Sequence, residues 1–209
     1  MRKELHVISN GKMTFQQLTT AALQIESEID YLHIREREKN TKELYEGVEF
    51  LLTSGFPVSK LVMNDRVDIA SLFHIPRVQL GYRSASIQAV KEKFSYLHVG
   101  YSVHSLEEAI TAFQSGADSL VYGHIFQTNS KKGVPPRGLK EFSSIVEHTT
   151  IPVTAIGGIT PYNAEAVMQA GATGIAVMSG ILGKEMPYEE AHLYKEMMGK
   201  WARSHGKSI

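Results

Sequence analysis

The sequence predicts an α/β protein, a (β/α)8 TIM barrel forming one domain over residues 1–209, and three observations predict it. Short apolar runs alternate with stretches of helical periodicity eight times, with no linker between units. The last two runs, 153–156 and 174–178, end in small-residue turns, Gly157-Gly158 and Ser179-Gly180. Two such turns after consecutive strands form the usual phosphate cup of this barrel. The length of 209 residues lies at the short end for eight units.

In chain order, residues 5–9 read as the first strand and Asn10-Gly11 as a turn. Thr14 caps the first helix with Gln17 as in a capping box, and Phe15, Leu18, Ala22, Ile25 and Ile29 form its apolar stripe. Residues 31–35 are the second strand. Alternation puts His33 and Arg35 on one side, opposite Leu32 and Ile34. Arg35 there suits an anionic substrate; His33 fits a packed position as well as a functional one. The charge-dense segment 35–39 is a loop at the barrel mouth. Asn40 and Glu43 suggest a second capping box, before a helix striped by Leu44, Val48, Leu51 and Leu52.

Residues 60–63 are the third strand and end in Asn64-Asp65-Arg66. Asp65 reads better as the N-cap of the helix bearing Val67, Ile69 and Ala70 than as a metal contact. Residues 77–81 and 96–100 are the fourth and fifth strands, the fifth running on to His104. Ser102 is either a hydrogen-bond donor to a ligand or a turn serine. Ser105 and Glu108 form a capping box for a helix striped by Leu106, Ala109, Ile110 and Phe113. Residues 118–123 are the sixth strand, ending in His124-Ile125-Phe126-Gln127-Thr128. The polar, basic loop 129–138 is long and suits a cationic lid over a phosphate site.

Leu139, Phe142, Ile145 and Val146 stripe the next helix. After the seventh strand, Thr160 and Pro161 read as cap and first residue of a helix with Ala164, Val167 and Met168 inward. Tyr194, Met197, Met198 and Trp201 stripe the last helix, which places the single tryptophan in the core. The tail 203–209 reads as frayed.

Lys plus Arg and Asp plus Glu number 22 each, and the isoelectric point is about 7.1. That balance argues against nucleic acid and anionic membranes as partners. There is no cysteine, which excludes disulfides, thiolate zinc sites and cysteine nucleophiles. The first residues lead into a strand rather than a signal-peptide core, and no apolar run is long enough to span a bilayer, so a cytoplasmic protein is expected.

Six segments together resemble the thiamine phosphate synthase superfamily. They are His33-Ile34-Arg35-Glu36, Asn64-Asp65-Arg66-Val67-Asp68, Ser102-Val103-His104, Gly123-His124-Ile125-Phe126-Gln127-Thr128, Ala155-Ile156-Gly157-Gly158-Ile159 and Ala176-Val177-Met178-Ser179-Gly180. The chain looks most like the TenI branch, the thiazole tautomerases. The synthases usually carry Gly-Pro at the place of Gly123-His124, and a histidine can move a proton where a proline cannot. Asp65 matches the first of two synthase aspartates for Mg²⁺; the second falls in a Gly-Gln-x-Asp segment, here Gly81-Tyr82-Arg83-Ser84.

The resemblance implies an isomerase that aromatises a carboxythiazole phosphate, with His124 as general acid/base and no metal or cofactor. It implies a phosphate held near Gly157, Gly158, Met178 and Ser179, with Thr128, Ser130 and Lys131 as further contacts. Asn64 and Ser102 complete the expected substrate-binding set, and charge suggests Arg35 for the ring carboxylate. The expected partners are a small-molecule thiazole phosphate and a second copy in a homodimer. Two alternatives stand beside this reading: a Mg²⁺-dependent thiamine phosphate synthase, and a non-catalytic regulatory protein that binds a thiazole phosphate.

Overall fold

Each apolar run forms a strand, and the strands pair in chain order. In the computed structural model these are β1 (Glu4–Ile8), β2 (Tyr31–Ile34), β3 (Leu61–Asn64), β4 (Arg77–Leu80), β5 (His98–Val103), β6 (Ser119–Gly123), β7 (Val153–Ile156) and β8 (Gly174–Val177). All neighbours are parallel, and β8 closes on β1. The intervening helices are α1 (Phe15–Ile25), α2 (Thr41–Thr53), α3 (Val67–Leu72), α4 (Ile87–Lys93), α5 (Leu106–Gln114), α6 (Gly138–His148), α7 (Ala164–Gln169) and α8 (Pro187–His205). The predicted (β/α)8 barrel is therefore the observed fold. The structure describes residues 3–131 and 133–205, apart from the side chains of 129 and 200–205. The expectation for Trp201 falls outside the described side chains; of the tail expected to fray, 203–205 are the last residues of α8 and 206–209 fall outside the described residues.

Strand alternation divides the interior into two layers of different chemistry. Leu5, Val7, Leu32, Ile34, Leu61, Met63, Val99, Leu120, Tyr122, Ala155 and Ile175 face the helices and belong to one large apolar cluster. The alternate positions line the barrel itself and are often polar: His6, His33, Gln79 and Thr154 are all buried. Parallel strands in barrels are commonly apolar on both faces, so this interior is unusual in carrying charge and imidazole.

Two capping boxes form as predicted, Thr14 with Gln17 and Asn40 with Glu43. Three local expectations are corrected. Glu108 does not close a box on Ser105; its carboxylate accepts from the His104 N–H at 2.7 Å. Asp65 is not an N-cap: Arg66 holds that place without a side-chain bond, and Asp65 sits at φ 64°. Thr160 and Pro161 do not open a helix. They belong to a turn in which Asn163 Oδ1 accepts from the Thr160 N–H, and α7 begins at Ala164.

At the N-terminal end of the barrel lies a cavity of about 140 Å³, lined among others by Glu4, His6, His33, Arg77, His98 and Ser119. Burial, then Arg77, pushes His98 down from 6.5 to about 4. Burial, then His6, holds His33 well below its usual value, with Asn64 opposing. Both rings are neutral in the fold, whereas in the unfolded chain they titrate near 6.5. Below that pH the unfolded chain binds more protons, so stability falls as pH drops from about 6.5 toward 4. The urea midpoint is expected to be lower at about pH 5 than at about pH 7.5. Equal midpoints would mean that these imidazoles are not held neutral.

Candidate active site

The strand ends at the C-terminal face carry the polar groups that the sequence singles out, and the closed barrel sorts them into two sides. On the β2–β3 side, the backbone N–H of Arg35 donates to Ser9 Oγ at 2.8 Å, which ties the end of β2 to β1. The Arg35 guanidinium is half-buried. Burial and the neighbouring Arg37 lower its pKa, while Asp65 and Glu36 hold it up. Glu36 is itself buried and pairs with Lys39 Nζ at 2.5 Å. Arg35, Arg37, Lys39 and Arg66 with Glu36, Asn64 and Asp65 line a cleft of about 160 Å³. Lys39 pairs with Glu36 and Arg66 with Asp68, which leaves Arg35 and Arg37 against Asp65, a cationic excess suited to an anion.

The left-handed backbone at Asp65 turns its carboxylate away from α3. Its N–H donates to the Gln79 carbonyl at 3.0 Å, and its Oδ1 accepts from Ser84 Oγ at 2.5 Å. The Ser84 oxygen also accepts from the Gly81 N–H at 2.9 Å. Ser102 reaches the same region through Gln79, whose Nε2 donates to Ser102 Oγ at 3.0 Å.

Across the mouth, His124 follows β6 and is 3% exposed. Its Nε2 lies 3.3 Å from the Val134 carbonyl, which can only accept, so Nε2 carries the proton. In the neutral ring Nδ1 is then bare, and it is buried without a partner. The Arg137 N–H donates to the His124 carbonyl at 3.0 Å, so the loop 129–138 folds over this residue. Thr128, Ser130 and Lys131 form one tight turn beside it: the Ser130 N–H reaches Thr128 Oγ1 at 3.3 Å and the Lys131 N–H the Thr128 carbonyl at 3.1 Å. Burial and Arg137 lower the Lys131 pKa, and Lys131 in turn lowers that of His104.

Gly157 and Gly158 sit at φ 105° and 65° directly against this segment. A Cβ on Gly157 would stand 2.5 Å from His124 Cβ, and one on Gly158 would strike the Gln127 carbonyl. The glycines are thus required by the protein's own packing, quite apart from any ligand. Met178 is partly buried and Ser179 exposed after β8. Arg35 and Asn64 therefore share one cleft with Asp65, while His124, Thr128, Ser130, Lys131, Gly157 and Gly158 cluster opposite.

The sequence reading missed Ser84 as the partner of Asp65. No local signal marks that pair, which is 19 residues apart. It also missed Glu4 and His6 in the barrel interior, although the alternation Glu4-Leu5-His6-Val7 carries the same signal as His33.

The residues 5–181 fit the family described as thiamine monophosphate synthase (TMP-TENI). The chain belongs to this family. A thiamine-phosphate synthase of Pyrococcus abyssi is 33% identical over 201 residues, covering 94% of this chain and 97% of the relative. That of Pyrococcus furiosus is 36% identical over 184 residues, covering 87% and 88%. A solved structure of thiamine phosphate pyrophosphorylase from Pyrococcus furiosus superposes with a TM-score of 0.81 at 32% identity, covering 95% of this chain and 96% of that one.

These matches correct the tautomerase reading. Relatives at 33–36% identity over most of the chain are named synthases. The isomerase assignment rested on two positions, His124 and Ser84, against similarity spread along the whole barrel. No helix among the described residues is long and apolar enough to cross a membrane.

The thiamine monophosphate synthase family implies Mg²⁺, and the donor set here meets the minimum for it. Mg²⁺ is usually held by one or two carboxylates plus substrate phosphates. Asp65 supplies one carboxylate, and the Ser84 hydroxyl stands beside it where the synthases carry a second. Among the described residues no three His, Cys, Asp or Glu side chains converge as a metal site. The set therefore fits an ion shared with a bound diphosphate and not one held by protein alone.

Proposed function

We propose that the protein is a thiamine-phosphate synthase, a transferase that joins a pyrimidine diphosphate to a thiazole phosphate and releases diphosphate. The observation that carries this reading is the division of the mouth into two anion-suited sides. The cation-rich cleft at Arg35, Asn64 and Asp65 suits the diphosphate. The turn at Thr128, Ser130 and Lys131, with the backbone near Gly158, Met178 and Ser179, suits the single phosphate. The names and whole-length similarity of the relatives support it.

In this reading the thiazole nitrogen forms a bond to the pyrimidine methylene carbon, and the bond from that carbon to the diphosphate oxygen breaks, the diphosphate keeping the electron pair. Arg35 offsets the charge that builds on the departing group, in a half-buried site where such an interaction is stronger than in water. Asp65 would hold a Mg²⁺, which would supply further neutralisation of the charge on the departing group. His124, buried with its Nε2 on the Val134 carbonyl, serves as packing beneath the thiazole side of the mouth, because the reaction calls for no proton shift on that ring.

The test is a direct assay of purified protein with pyrimidine diphosphate, thiazole phosphate and a Mg²⁺ titration. Thiamine phosphate is expected, with a rate that rises with Mg²⁺. No thiamine phosphate at any Mg²⁺ concentration, from protein shown to be folded, would reject the transferase.

A further inference from the structure

A line of polar side chains crosses the barrel from its N-terminal rim to the mouth. Glu4 Oε2 lies 3.2 Å from His6 Nε2, and His6 Nδ1 lies 2.9 Å from His33 Nε2. His33 is 2% exposed. Its Nδ1 and the Asn64 Oδ1 are both buried with no partner in hydrogen-bond geometry. The Asn64 side chain is nonetheless near enough to act on the His33 ring as a hydrogen-bonding neighbour. The four residues lie on β1, β2 and β3, which are adjacent in the barrel.

Proton counting gives this line a direction. The Glu4 carboxylate is held below its ordinary range, chiefly by the His6 bond, and only accepts. His6 must then carry its proton on Nε2, which leaves Nδ1 bare in the neutral ring. A bare Nδ1 at 2.9 Å needs a donor, so His33 is protonated on Nε2. That leaves His33 Nδ1 as an acceptor facing Asn64. Two acceptors cannot bond, so the amide turns its N–H₂ inward to His33 and its carbonyl outward. Such amide orientations follow from the network around them. Arg77, with its guanidinium 4.5 Å over the Tyr31 ring, and His98 face the same lower cavity. Arg77 lowers the pKa of both Glu4 and His33, which reinforces the arrangement.

We propose that Glu4, at the opposite end of the barrel, sets through His6 and His33 which end of Asn64 meets the ligand. The end presented is the carbonyl oxygen, which takes an N–H donor or a cation and repels a phosphate oxygen. His6 and His33 are positioning residues in this scheme. The ligand half of the proposal rests on the reading of the mouth as the substrate site; the tautomer half does not.

The experiment is ¹⁵N NMR of the full chain with labelled histidine at about pH 8.5, above the ordinary histidine range. His6 and His33 are expected to be protonated on Nε2, with Nδ1 bare. In Glu4→Lys the ammonium can only donate to His6 Nε2, so both rings shift toward the Nδ1–H tautomer and Asn64 turns its N–H₂ outward. Affinity for inorganic diphosphate, measured by calorimetry, is then expected to rise about fivefold. An Nδ1–H His33 in the parent protein overturns the proposal, and that spectrum decides even if Glu4→Lys does not fold. An unchanged tautomer in folded Glu4→Lys overturns it too, as does a switched tautomer with unchanged diphosphate affinity. Failure of the transferase reading shows separately, as absence of thiamine phosphate in both proteins.

Discussion

Asp65→Asn is expected to lower thiamine phosphate formation on the order of 100-fold and to raise the Mg²⁺ requirement of what remains. The substitution removes charge and little else. Asparagine tolerates the left-handed φ of 64° at this position, and its amide oxygen can still accept from Ser84 Oγ. What disappears is the carboxylate that faces Arg35 and supplies the acidic oxygen of the metal donor set. The measurement is kcat/KM across a Mg²⁺ titration, beside a thermal melt to confirm the fold. The converse variant is Ser84→Asp, which puts a second carboxylate beside the first. It should reduce the Mg²⁺ concentration for half-maximal rate about tenfold. If Asp65→Asn matches the parent at every Mg²⁺ concentration, the β2–β3 cleft does not hold the diphosphate.

Gly157→Ala is expected to have the largest effect on stability, a loss of about 2–4 kcal/mol. Two costs add. Alanine at φ 105° is strained, and its Cβ would stand 2.5 Å from His124 Cβ and 2.7 Å from His124 Cα. Neither neighbour is the free end of a flexible side chain, so the segment after β6 must move as a whole. The Ile125 N–H donates to the Ile156 carbonyl at 3.0 Å and the Phe126 N–H to the Gly157 carbonyl at 2.9 Å, and these bonds would be disturbed with it. Urea unfolding gives the stability change directly. Loss of less than about 0.5 kcal/mol would mean that the two strand ends yield easily.

The glycine pair shows how sequence and structure divide the problem. Gly157-Gly158 marks the end of β7 without any structure. The reading of the pair as an open floor for a ligand is incomplete, because both positions lie against His124, Phe126 and Gln127. That contact joins segments some 30 residues apart, and nothing local reports it. His124 was found by its place at a strand's end; its burial and the Val134 carbonyl on Nε2 were not. Asp65 was misread as a cap because a short polar residue before an apolar helical stretch is the usual cap signal. Backbone handedness, which the one-letter code does not state, decided against it.

The sequence by itself determined the barrel. Strand and helix periods are local properties of the chain, eight short parallel strands must be joined by crossovers, and crossovers of one hand close the sheet in chain order. It also pointed to the strand ends as the candidate site, since Arg35, His124, Gly158 and Ser179 follow strands and Asn64 ends β3. Only the tertiary structure decided which of these groups meet. Asp65 finds Ser84, and Glu4 connects through His6 to His33 and Asn64, because strand register brings them within bonding distance. A hydrogen bond is lost over a shift of an ångström or two, whereas a hydrophobic period survives it, so the fold is legible from pattern and the polar network is not.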